Sequence, residues 1–73
     1  MEVKKHLMIT GTSNISWKDA IVQAISEASK SIDYISEVKI VAQRANIDGT
    51  NISEYFVDLD LSFSIDVNRK SKN

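Results

Sequence analysis

Asp58 and Asp60 are the pair in this 73-residue sequence with the most obvious chemical potential. Two residues apart on an extended chain, they project from one face about 7 Å from each other. Paired carboxylates at that spacing can do acid–base work or hold a hard cation. The plainer reading is that they form the polar face of a strand. His6, the single histidine, lies in an alternating segment with no serine or cysteine partner in evidence. The two glycines, Gly11 and Gly49, do not make a phosphate-binding loop. Cysteine is absent, which excludes disulfides and Cys-based zinc sites. Catalysis is not expected from this set.

The elements that would carry these residues can be read from periodicity. Val3 to Thr10 alternates, with Val3, Lys5, Leu7 and Ile9 on one side, and predicts a strand. The turn-forming residues Gly11-Thr12-Ser13-Asn14 are expected to end it. Ser16 then stands three residues before Asp19, close to a capping box with a shorter acid. Trp17, Ala20, Ile21, Ala24, Ile25, Ala28, Ile32 and Ile35 follow at helical spacing and define one apolar stripe. Lys18, Gln23, Glu27 and Lys30 fall on the wet side. Trp17 reads as a core or interface aromatic rather than a ligand platform.

Glu37 to Ile47 predicts a second strand, Asp48-Gly49-Thr50-Asn51 a turn, and Ile52 to Ile65 a long third strand. If Ile47 faces Ile52, Lys39 lies opposite Asp60, a favourable cross-strand pair. The helix stripe would then cover Val38, Ile40 and Ala42 with Val57, Leu59, Leu61 and Phe63. The other face would carry Glu37, Lys39, Val41, Gln43 and Ala45 with Phe56, Asp58 and Asp60. The fold class is α+β: a three-stranded antiparallel sheet wrapped over one helix, in strand–helix–strand–strand order.

A chain this short allows a single domain, here residues 1–67, and one core of about 3–5 kcal/mol. Without disulfides or a His-rich metal site, self-association is the expected source of further stability. Apolar Met8, Val41 and Phe56 among the charges of the second sheet face point the same way. Nine basic and ten acidic residues leave a net charge of −1, which argues against a nucleic-acid partner. Residues 68–73 form a basic tail, read as solvated and disordered. The Leu7-Met8-Ile9 stretch is too short for a signal peptide, and no run has the length of a membrane span. The chain therefore reads as soluble and cytoplasmic, with no membrane partner.

Leu7-Met8-Ile9-Thr10-Gly11-Thr12-Ser13, then Ser16-Trp17-Lys18-Asp19-Ala20-Ile21, Ala24-Ile25 and Ala28-Ser29-Lys30, resembles the dodecin family. The likeness continues through Val41, Gln43-Arg44, Ile47, Tyr55, Val57, Leu59 and Phe63, and spans Lys4 to Ile65 without gaps. The resemblance implies a hollow homo-oligomer, a dodecamer, that binds riboflavin or FMN for storage rather than turnover. It also implies three ligand-binding positions: Glu37, Arg44 and Phe56. Two of them depart from the family pattern. Glu37 occupies the place of a tryptophan that stacks on the flavin, and Phe56 that of a glutamine that hydrogen-bonds the ring. A further acidic position corresponds to Ala42, while Arg44 retains an arginine that lies near phosphate-bearing ligands. Trp17 matches a different position and does not replace the stacking residue. Flavin binding is accordingly expected to be weak or absent. The alternatives are another anionic ligand near Arg44, a divalent cation near Glu37, Asp58 and Asp60, or a purely structural shell.

Overall fold

The computed structural model describes residues 2–66. Among them lie four elements: β1 (Glu2–Ser13), α1 (Trp17–Ala28), β2 (Ile35–Asp48) and β3 (Asn51–Asp66). The strands form one antiparallel sheet in the order β1-β3-β2, with α1 on one face. The α+β architecture and element order are those expected from the sequence. The basic tail at 68–73 lies outside the described residues.

β1 runs further than its alternation suggests, because the predicted turn residues continue the strand: Gly11 pairs with Val57 and Ser13 with Tyr55. Gly11 is there for clearance. A Cβ on it would lie 2.5 Å from the Ala20 carbonyl oxygen and 2.8 Å from the Ala24 methyl. The helix therefore approaches β1 at Gly11 with its two buried alanines, Ala20 and Ala24, against the sheet. The chain turns after Ser13, whose hydroxyl accepts from the Ile15 amide at 2.9 Å and donates to Asp19 at 2.6 Å. Ser16 caps α1 by accepting the Asp19 amide at 3.0 Å. Asp19 thus binds Ser13 rather than closing the box onto the cap.

The helix is shorter than its apolar stripe. It ends at Ala28, and Ser31 and Ile32 fold back on the Ala28 carbonyl at 3.1 and 3.0 Å, which keeps Ile32 on the same side. Tyr34 then takes φ 61°, a left-handed conformation unusual for a bulky residue, and turns the chain into β2. The core is Ala20, Ala24, Val57, Leu59 and Leu61, flanked by Ile9, Trp17, Ile21, Ala28, Ile35 and Val38. α1 packs on β1 and β3 and barely reaches β2. Ile40, expected beneath the helix, is consequently 49% exposed.

The β2–β3 hairpin closes as predicted, with Ile47 opposite Ile52 and Lys39 opposite Asp60. Gly49 carries the turn at φ 68°, suited to the first central position of a two-residue hairpin loop. Between those fixed points the register shifts twice, at Ile40/Ala42 and at Asn46/Ile47. The inserted residue turns the intervening stretch over. Ala42 therefore pairs with Asp58, Gln43 with Val57, Arg44 with Phe56 and Ala45 with Tyr55. The faces read from strict alternation are wrong for Ala42, Gln43 and Ala45. Ala42 and Arg44 lie on the face away from the helix, while Gln43 and Ala45 lie on the helix side.

Candidate functional site

The face away from the helix collects the even-numbered side chains of β3, from Phe56 to Ser64, with their neighbours on both flanking strands. The register builds it as cross-strand rows. His6, Ser62 and Glu37 form one; Met8, Asp60 and Lys39 the next; Thr10, Asp58 and Ala42 a third; Thr12, Phe56 and Arg44 a fourth. Ser36 adds a bulge at the start of β2, and its hydroxyl donates to the Ser62 carbonyl at 3.2 Å.

The best-formed cluster lies in the third and fourth rows. Arg44 grips Asp58 with two parallel bonds, Nε to Oδ2 at 3.2 Å and Nη2 to Oδ1 at 2.9 Å. The Thr10 hydroxyl donates to the same Oδ1 at 2.9 Å. The guanidinium carbon stands 5.1 Å from the centre of the Phe56 ring, a cation–π arrangement. Bonding from Arg44, then from Thr10, holds the Asp58 carboxyl below its ordinary value of 3.8. The bond to Asp58 and then its charge push Arg44 above its own range. The bidentate fork is the geometry in which arginine and carboxylate bind best.

The helix start steadies this cluster from the other side of the sheet. Trp17 packs edge-on against Tyr55, with ring centres 4.8 Å apart at 79°. Its indole N–H donates to the Arg44 carbonyl at 3.0 Å. Trp17 is thus a packing aromatic, as expected, with the added task of fixing the β2 backbone where Arg44 turns outward.

A second polar group surrounds His6, whose Nδ1 lies 3.2 Å from Asp60 Oδ1 and 3.3 Å from Ser62 Oγ. Both contacts fall on one ring nitrogen, so the three residues do not form a relay from hydroxyl through imidazole to carboxylate. Neither aspartate of the Asp58/Asp60 pair stands alone: Arg44 and Thr10 hold one, His6 and Lys39 neighbour the other. Among the described residues no group of three histidine or acidic side chains converges as a metal site.

The structure brings two of the three predicted ligand positions together. Arg44 and Phe56 stack as cross-strand neighbours. Glu37 lies opposite Ser62, six residues along β3 from Phe56, or about 20 Å at the rise of a strand. All three share a face, but one chain does not place Glu37 beside the other two. The Arg44–Asp58 clamp escapes a reading by strict alternation, because the register that pairs Ile47 with Ile52, continued without a bulge, sets Arg44 opposite Tyr55 and away from Asp58. A signal was present: Ile40-Val41-Ala42 is an apolar run that breaks period two, and the bulge falls there. The turning role of Tyr34 carries no comparable signal.

Known proteins repeat this chain order and sheet. The Dodecin family profile matches residues 3–66. The calcium dodecin of Mycobacterium tuberculosis is 32% identical over 65 residues, covering 89% of this chain and 92% of that protein. Its crystal structure, described as having a novel calcium-binding site, superimposes with a TM-score of 0.77 at 31% identity over 97% of each chain. A point-mutant dodecin from Thermus thermophilus gives a TM-score of 0.85 at 26% identity, over 90% of this chain and 98% of that one. Among the described residues no helix is long and apolar enough to cross a membrane. With a family profile matched along nearly its whole length and a relative above 30% identity, the chain belongs to the dodecin family.

Proposed function

We propose that this protein is one subunit of a hollow homo-oligomeric shell, most simply a dodecamer, which holds a small ligand without catalysing its conversion. The observation that carries the reading is the layout of the sheet face away from the helix. Glu37, Arg44 and Phe56 all stand on it, yet Glu37 is about 20 Å from the other two along one subunit. A second copy laid against this face would complete the site. The domain would comprise residues 1–67, with 68–73 a basic tail, and the shell would reside in the cytoplasm.

Riboflavin or FMN is the first ligand to test, and binding should be weak. A carboxylate at position 37 offers no stacking surface and adds a charge that an apolar ring would have to desolvate. The Phe56 ring is the aromatic surface available, and Arg44 already lies over it. A second reading, calcium as the ligand, is favoured by the calcium dodecin relative and by the acid at Glu37. Since one subunit gathers no three such ligands among the described residues, the cation would lie between subunits.

The test is a pair of titrations on the assembled protein: flavin fluorescence quenching, and calorimetry with calcium in the same buffer. Saturable calcium binding lost when Glu37 is changed to alanine, or saturable flavin binding lost when Phe56 is changed to alanine, supports a site on this face. A shell that binds neither would leave the purely structural role.

A further inference from the structure

We propose that Asp58 is a selectivity residue, which occupies the Arg44 fork and so turns phosphate-bearing and other anionic ligands away from this face. The inference rests on the small-ligand reading for its purpose, but its chemistry stands on the geometry of the cluster. A solvent-facing arginine on a sheet is ordinarily an anion-binding group, because its planar fork matches the oxygens of a phosphate or carboxylate. Here the Nε and Nη2 edge, the one that binds anions side-on, is filled by Asp58 at 3.2 and 2.9 Å.

The competitor is held in place from three directions. The Thr10 hydroxyl binds Oδ1 of Asp58 and sets its rotamer. Phe56 supports the guanidinium from beneath at 5.1 Å. The bulge at Ile40/Ala42 fixes the backbone so that Arg44 and Asp58 share a face. An incoming phosphate must therefore displace a tethered carboxylate, whose effective concentration far exceeds that of a free ligand. Lys39, the other cation nearby on this face, stands opposite Asp60 in the register. What remains open is a stacked but electrically compensated guanidinium, which suits neutral planar or cationic ligands.

The inference is tested by calorimetric titration of the assembled protein with inorganic phosphate, using wild type, Asp58→Asn, and Asp58→Asn combined with Arg44→Gln. The Asp58→Asn variant should gain phosphate affinity by about tenfold or more, the value of a charge-assisted pair set free. The double variant should lose that gain. In parallel, the preference for FMN over riboflavin, read by fluorescence quenching, should rise by a similar factor in Asp58→Asn. Should the amide variant fail to assemble, Asp58→Thr frees Arg44 with a residue suited to a strand. Phosphate binding by wild type that Arg44→Gln abolishes would overturn the inference, as would an assembled Asp58 variant with no gain. If no variant binds flavin, the flavin reading fails while the phosphate titration still decides the role of Asp58.

Discussion

At the scale of single residues, the two departures from the family pattern decide what the proposed site would bind. On that proposal, stacking on a flavin calls for an aromatic ring at position 37, and ring recognition for a hydrogen-bonding group at position 56. The chain has Glu37 and Phe56 instead. Wild type should therefore quench riboflavin fluorescence weakly or not at all, and Glu37→Trp with Phe56→Gln should restore quenching. Each single change should restore less than the pair, because stacking and hydrogen bonding orient the same ring. An assembled double variant that ignores flavin would show that these positions do not form the site. Asp58 permits a second prediction. Its carboxyl is held below 3.8 in the fold, so the unfolded chain binds its proton first on acidification. Such a group stabilises the fold above its unfolded value, and that contribution fades as pH falls through the folded one. As the pH falls below about 4, the melting temperature of wild type should drop more steeply than that of Asp58→Asn. Parallel curves would mean that the clamp adds nothing to the fold.

At the scale of elements, the seam between α1 and β1 is where small residues decide the packing. Gly11→Ala drives a methyl to within 2.5 Å of the Ala20 carbonyl, a backbone atom that can yield only if the helix moves. A loss of about 1–3 kcal/mol is expected, or failure to assemble. Ala24→Leu overpacks the same seam, since Ala24 is buried, and should cost a similar amount. Gln23→Leu, one position along on the exposed side, should cost less than about 0.5 kcal/mol. Thermal denaturation of the three variants checks the helical phase, and equal losses for Ala24→Leu and Gln23→Leu would refute it. The helix was legible from its capping serine and apolar stripe. Its end was not, because Ile32 and Ile35 keep the apolar spacing after the backbone has left the helix.

At the scale of the whole molecule, the chain by itself is a poor globule. It measures 55 × 19 × 12 Å with a radius of gyration of 15.4 Å, against about 11 Å for a compact domain of this length. Ile15, Ile47, Met8 and Val22 are 71, 62, 58 and 54% exposed, spread over the turn, hairpin, sheet face and helix. β1 and β2 are both edge strands, and uncovered edges and apolar side chains favour association. Sedimentation should show a discrete species well above 8.2 kDa. Twelve copies would give about 98 kDa. A stable 8.2 kDa species at micromolar concentration would remove the basis for a shell.

The sequence by itself determined the α+β class, the order of the elements, the helix cap, the buried faces of α1 and β3, and the ends of the hairpin register. These follow from local periodicity and turn chemistry, which are written into neighbouring residues. It also identified Glu37, Arg44 and Phe56 as positions to watch, through resemblance rather than spacing. Only the tertiary structure decided which of them meet. The bulge at Ile40/Ala42 turns Ala42 and Arg44 outward, and whether the run Ile40-Val41-Ala42 bulges depends on how β2 must twist to stay paired with β3. Gly11 likewise looked like a turn residue until the helix was placed over it, since its reason is a contact with Ala20, nine positions away. A pattern of alternation cannot encode a one-residue slip that two strands settle between them, and the clamp of Arg44 on Asp58 exists because of that slip.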